Sequence, residues 1–297
     1  MNILITGCNG QLGSEMQALA REHTSHRYFF TDISVGENAV STDYAVFSRL
    51  DITDRDAVTA FVQANGIDCI VNCAAYTAVD KAESAADLAH LLNATAPGYL
   101  AQAVGSRGGI MVHISTDYVF DGTAHTPYTE DLPTCPDSVY GRTKLAGERA
   151  VMEGCEQCVI LRTAWLYSIY GNNFVKTMLR LGREKSQLGV IFDQIGTPTY
   201  ANDLARAVFA VIEQGARRGI YHFTDEGVTS WYDFTVAIHR LAGITSCDVR
   251  PIRTADYPTP ARRPHYSVLD KTKFKRTYNI DIPHWEVSLN KCISQLQ

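Results

Sequence analysis

The feature that most constrains this chain is its opening. Ile3-Leu4-Ile5-Thr6 runs directly into Gly7-Cys8-Asn9-Gly10-Gln11-Leu12-Gly13 and then into a helix-compatible stretch. Strand, glycine turn and helix in that order are the first half of a βαβ unit. Glycines at the first two positions let the backbone turn tightly and approach a pyrophosphate, and the helix N-terminus adds free N–H groups and a positive dipole end. Gly13 allows the helix to pack closely on the sheet. An ordinary tight turn would carry the same glycines, so context decides. The next strand candidate ends in Thr31-Asp32, about 20 residues on, where a carboxylate accepts hydrogen bonds from the adenosine ribose hydroxyls. Gly7, Gly10, Gln11, Leu12, Gly13 and Asp32 are thus expected around a dinucleotide. Asp32 would repel the extra phosphate of NADPH, which favours NADH, and no arginine stands beside it.

The rest of the first half alternates short apolar runs with helix-length segments. Strands are expected at 2–6, 28–31, 69–73, 110–115 and 158–162, and helices at 11–21, 55–64, 82–104 and 139–152. That rhythm predicts an α/β fold, a doubly wound parallel sheet of the Rossmann kind. Beyond Thr163 the pattern becomes mixed, with helices expected at 173–183, 201–214, 230–241 and 285–296. The division reads as a dinucleotide-binding domain over 1–165 and a smaller mixed α/β substrate lobe over 166–297. It is not strictly contiguous, because 219–223 can return a strand to the main sheet. The segment 251–264, with four prolines and three arginines, is expected to be an ordered loop.

Composition excludes several alternatives. The 297 residues are 45% hydrophobic and 20% charged, typical of a soluble globular chain that folds along its length. A net charge of -5 and a pI near 6.0 give no global attraction for nucleic acid. No apolar run approaches a membrane span, and the first strand follows Met1 directly, so a cytoplasmic protein is expected. The eight cysteines are scattered and read as free thiols, Cys69 and Cys73 as buried, and Cys155 and Cys158 as a surface turn entering a strand. The nine histidines show no zinc-ligand spacing.

Chemistry enters with Tyr140-Gly141-Arg142-Thr143-Lys144, which puts a tyrosine and a lysine on one face of a helix. A bare phenol is a poor acid at neutral pH, and a neighbouring ammonium is expected to lower its pKa. Two amphipathic surface residues would show the same spacing. The balance changes with Ser115-Thr116-Asp117-Tyr118 at the C-terminal end of a parallel strand, the edge where ligands of open sheets bind. There the Thr116 hydroxyl could hold a substrate carbonyl oxygen.

With its GxxGxxG spacing, the chain resembles the extended short-chain dehydrogenase/reductase superfamily. Leu50-Asp51-Ile52 and Asn72-Cys73-Ala74-Ala75-Tyr76 resemble further segments of that family. The resemblance implies that Asp51 and Ile52 hold the adenine edge and that Ala74, Ala75 and Tyr76 pass beneath the cofactor. The motifs STDYVFDG, VYGRTKLAGE, LRTAWLY, GNNFVKTMLR, DQIGTPTYANDLA and YPTPARRP, in that order, resemble the dTDP-4-dehydrorhamnose reductase family. That implies reduction of a 4-keto sugar on a nucleotide by NADPH or NADH, for cell-surface polysaccharide. By the same resemblance Tyr140 is the proton donor, with Lys144 tuning it and Thr116 holding the oxygen. Asp117, Trp165, Asn173 and Arg263 contact the substrate. Sugar dehydratases of the superfamily carry an Asp-Glu pair after the threonine. Here Asp117-Tyr118 follows, which favours simple reduction. Some family members carry Mg2+ at a dimer contact, so a homodimer and Glu15 as a metal ligand are expectations. Another nucleotide-sugar reductase or epimerase, or a non-catalytic regulatory subunit of the same fold, would share much of this pattern.

Overall fold

The computed structural model describes Met1–Gln297. Its spine is an eight-stranded sheet. In chain order its strands are β1 Asn2–Thr6, β2 Arg27–Asp32, β3 Val40–Ser41, β4 Ala45–Arg49, β5 Cys69–Asn72, β6 Ile110–Thr116, β7 Gln157–Thr163 and a last one at Gly219–His222. Across the sheet the order is Gly219–His222, β7, β6, β5, β1, β2, β4, β3, parallel throughout except for the antiparallel edge β3. The strands are nearly continuous apolar runs because both faces are covered.

Alternation along β1 shows the two faces: Ile3 and Ile5 point into one core, Leu4 into the other. The first core is closed by helices α1 Gln11–Ala20, α8 Ala201–Glu213 and α10 Thr272–Tyr278 through Met16, Val208 and Phe274. The second is closed by α2 Arg55–Ala64, α5 Ala96–Gly105 and α6 Val139–Gly154 through Val62, Leu100 and Val151. A separate cluster joins α7 Phe174–Glu184, α9 Trp231–Leu241 and α11 Trp285–Leu296 around Val175, Phe234 and Leu289. No helix is long and apolar enough to cross a membrane.

Local chemistry fixes the helix starts. Asp54 accepts from the backbone N–H groups of Asp56 and Ala57 to begin α2, Ser138 from Gly141 to begin α6, and Ser230 from Asp233 to begin α9. One expected helix is broken. Residues 82–104 form α3 Val79–Ala82, α4 Ala86–His90, a π-turn at Leu91–Thr95 and α5 instead of one rod. Asn93, 0% exposed, sits in that π-turn because its side chain serves tertiary partners described below. The proline-rich segment is also more structured than a loop. Pro251 and Ile252 complete a strand at Asp248–Ile252, paired in parallel with Gln187–Ile191, and a 3-10 turn follows at Thr254–Asp256. Cys155 and Cys158 are buried, not in a surface turn, with the Cys155 thiol directed at the Gly109 carbonyl, while Cys73 is only half-buried.

Candidate active site

Parallel strands bring their C-terminal ends to one edge, and the sequence's singled-out residues collect there. Gly7 follows β1 in the left-handed region at φ 64, and a Cβ on it would meet the Ala74 backbone at 2.7 Å. The turn and the segment after β5 are therefore in contact. A Cβ on Gly13 would lie 2.3 Å from the Gly7 carbonyl oxygen. Helix α1 starts at Gly10 with no capping side chain and no acidic residue in its first turn, leaving its N–H groups for an anion. That shape and chemistry fit a dinucleotide pyrophosphate. Asp32, at the end of β2, accepts from Ser34 N and Oγ at 3.0 and 2.7 Å and from Asn9 N at 3.4 Å, tying it to the glycine turn. Asp51 lies just past β4, which neighbours β2, and accepts from Thr53, while Ile52 is buried.

Two strands from the turn, the end of β6 carries Thr116 and Asp117, both buried. Thr116 Oγ1 donates to Asp117 Oδ1 at 2.9 Å and lies beside the Tyr140 phenol. Burial pushes Asp117 up to about 6, against hydrogen bonds from Thr116 and Ser267. Tyr140 lies in the first turn of α6, edge-on to the Tyr118 ring at 5.5 Å. Lys144, one turn on, is buried and donates to the Ile114 carbonyl at 2.6 Å.

The electrostatics correct one expectation. The phenol is not made acidic by Lys144: burial, with Asp117 adding to it, pushes Tyr140 up to about 12 despite the Thr116 hydrogen bond. The ammonium is directed to a carbonyl and is itself drawn down to about 8 by desolvation. The phenol therefore stays protonated across the neutral range, and it gives up its proton only to a stronger base such as a developing alkoxide.

Trp165 follows β7 at φ 49, an unusual conformation for a side chain of this size. It is half-buried, stacked on Trp231 at 3.4 Å, and a Cβ on Gly196 would meet both its ring and Ser267 Oγ. Ser267 lies near Asp117, so Trp165 lies on the same edge. Arg263 makes a two-pronged pair with Asp80 at 2.7 and 2.9 Å, and with Tyr118 and Ser138 it lines a small cavity over the start of α6.

Two further expected residues are held by structural partners. Asn173 caps α7, accepting from Lys176 N at 3.1 Å and donating to the Ser168 carbonyl at 2.7 Å. Within this chain the Glu15 carboxylate, expected as a metal ligand, is engaged by neutral donors. Glu15 accepts from Ser168 Oγ at 2.6 Å and Asn202 Nδ2 at 2.9 Å, and no group of three His, Cys, Asp or Glu side chains could hold an ion.

Sequence reasoning missed Asn93. Its amide accepts from Tyr76 N at 2.8 Å and donates to the Tyr76 carbonyl and Thr143 Oγ1, each at 3.1 Å. One side chain thus fastens the segment after β5 to α6. A polar residue amid the apolar positions of 82–104 was the only signal. Asp80 was missed too, since nothing local marks it as the partner of Arg263.

A glycine turn that can cradle a pyrophosphate, two strands away from Thr116 and Tyr140, is the layout of a Rossmann-type α/β fold with its site at the strand ends. The chain belongs to the family described by the RmlD substrate binding domain, whose model matches residues 1–297, the family of the dTDP-4-dehydrorhamnose reductases. It is similar to the dTDP-4-dehydrorhamnose reductase of Shigella flexneri, 41% identical over 100% of this chain and 98% of the relative. A solved dTDP-4-dehydrorhamnose reductase from Clostridium acetobutylicum superposes with a TM-score of 0.91, at 45% identity and 100% of both chains. That of Bacillus anthracis, solved in complex with NADP, gives a TM-score of 0.91 at 36% identity over 99% of each chain.

Proposed function

We propose that this protein reduces the C4 ketone of dTDP-4-dehydro-L-rhamnose to the alcohol of dTDP-L-rhamnose, using NADPH or NADH. The observation that carries the reading is the meeting of Thr116, Tyr140 and Asp117 at the end of β6, with Lys144 one helical turn beyond. The nicotinamide, when bound across the glycine turn, supplies the hydride. Tyr140 holds the proton that the C4 oxygen takes up, and its raised pKa keeps that proton in place until the oxygen develops charge. Thr116 donates to the same oxygen, which requires its hydroxyl to turn from Asp117. Lys144 places a positive charge behind the phenol and faces the cofactor ribose.

The sugar lies against Trp165, whose ring is held rigidly between Trp231 and Gly196. Arg263 receives the diphosphate through its planar guanidinium, which requires the fork to turn from the Asp80 carboxylate that it now grips. Residues 166–297 supply the Arg263 contact, and 1–165 supply the cofactor contacts together with Thr116 and Trp165. Asn173 supports the lobe as a helix cap and approaches the nucleotide only if that cap opens.

The test is spectrophotometric: the dTDP-4-keto sugar with NADPH and, separately, NADH. Loss of nicotinamide absorbance with formation of dTDP-L-rhamnose is expected. Exchange at a sugar carbon with no net loss of NADPH would instead identify an epimerase.

A further inference from the structure

On α6, Tyr140, Lys144 and Glu148 recur every four residues and lie along one face of the helix. Glu148 is 2% exposed and three hydrogen bonds reach it. Ser115 Oγ donates to Oε1 at 2.6 Å, Arg162 Nε to Oε1 at 2.8 Å and Arg162 Nη2 to Oε2 at 2.7 Å. Register sets the two donors side by side, since Ser115 on β6 pairs with Arg162 on β7. As a source of stability such a pair is poor, because two apolar side chains of like volume often serve as well. Its position suggests another use. Ser115 immediately precedes Thr116, and Glu148 stands one turn beyond Lys144, so the clamp joins α6 to β6 where the reactive side chains meet.

The charge matters alongside the clamp. The buried Lys144 ammonium has the neutral Ile114 carbonyl as its hydrogen-bond partner. Around it stand His113 from β6, kept neutral by burial and by Lys144 itself, and Tyr140 from α6, kept protonated by burial. Asn72 from β5 bonds His113 and is uncharged, and Arg162 from β7 is bound to Glu148. Among these groups Glu148 is the anion, and it works against the desolvation that draws Lys144 down.

We propose that Glu148 is a positioning residue for the reduction: gripped by Ser115 and Arg162, it sets α6 on the sheet and supplies the negative charge that retains the Lys144 ammonium. The inference rests on the function proposed above. Without that charge Lys144 loses its proton at lower pH, and the ribose contact and the charge behind the phenol go with it.

The experiment is a fluorescence titration of the full-length protein with NADPH from about pH 6 to about pH 10, comparing wild type, Glu148→Gln and Glu148→Gln/Arg162→Gln. The double variant removes both charges, so no bare guanidinium is left buried if the single variant fails to fold. Binding is expected to weaken with rising pH, with a midpoint about one unit lower in the variants, and to agree within about threefold at the acid end. Glu148→Asp, which restores the charge, should return the midpoint toward wild type. An unmoved midpoint in folded variant protein, or a wild type with no alkaline weakening, overturns the inference and leaves Glu148 as packing alone. Wild-type protein that binds neither NADPH nor NADH at any pH overturns the reductase reading itself, a result distinct from an unmoved midpoint.

Discussion

At the scale of single residues, a half-buried phenol and a buried ammonium divide the proposed chemistry. Tyr140, raised to about 12, is the proposed acid, so removing its hydroxyl should remove the proton and little else. Tyr140→Phe should lower kcat by two or more orders of magnitude, about 3 kcal/mol of barrier, while NADPH binding measured by fluorescence changes by less than about threefold. Turnover near the wild-type rate would assign the proton to another group. Asp32 poses a separate question, because its carboxylate is held by Ser34 and Asn9 where a ribose 2′-phosphate would lie. Asp32→Ala should shift the ratio of kcat/KM for NADPH over NADH upward by about tenfold, from relief of charge repulsion. An unchanged ratio would mean that the ribose is held elsewhere. Thr116, Tyr140 and Lys144 were legible in the sequence because their chemistry ties residue type to spacing. Asn93, Asp80 and Glu148 were not, since their partners lie on other elements: Tyr76 is 17 residues from Asn93, and Arg263 is 183 from Asp80. Charge type announces that such a residue needs a partner, without naming it.

Among the elements, those with a cap and a clean apolar period declared themselves. The helices at Arg55–Ala64 and Trp285–Leu296 fell where expected, and β1 did as well. The failures share a cause, which is tertiary demand on a locally plausible segment. Residues 82–104 read as one helix, yet the π-turn at Leu91–Thr95 turns Asn93 toward Tyr76 and Thr143. The short strands at Ala45–Arg49 and Asp248–Ile252 were missed because neither shows a period long enough to read, and the second contains a proline at an edge. The π-turn constrains α6 in return: a Cβ on Gly147 would stand 2.0 Å from the Asn93 carbonyl oxygen. Alanine is the better helix former by about 1 kcal/mol, but this contact is with backbone and does not yield. Gly147→Ala should therefore destabilise by about 1–3 kcal/mol net in urea unfolding, with weakened NADPH binding as the Tyr76 segment shifts. Gly36→Ala, at a site with nothing within 4 Å, should stay within about 0.5 kcal/mol of wild type. Equal stability of the two variants would show that the α6 contact relaxes freely.

For the whole molecule, the last strand of the sheet arrives from far along the chain and is locked by a buried histidine. His222 is 0% exposed, its Nδ1 faces the Tyr128 carbonyl at 3.0 Å, and its N–H donates to Glu130 Oε1 at 3.0 Å. The return of this strand was readable from a short apolar run, but its anchoring, across 92 to 94 residues, was not. Burial first, then the Arg162 charge, hold His222 down to about 3, so the folded state binds fewer protons than the unfolded chain between about pH 3 and pH 6.5. Its contribution is complete above about pH 6.5 and is lost as pH falls through that window. The raised carboxyls of Asp117, Asp203 and Asp225 run the opposite way, favouring the fold as pH falls, so the total curve is composite. A difference between proteins isolates the histidine, because the carboxyls are common to both. From about pH 7.5 to about pH 5, wild type should lose about 2 kcal/mol more unfolding free energy than His222→Gln, whose amide takes up no proton. Parallel losses in the two proteins would place the protonation elsewhere, with His113, buried and held neutral, and His26, also lowered by desolvation, as the other imidazoles able to carry it.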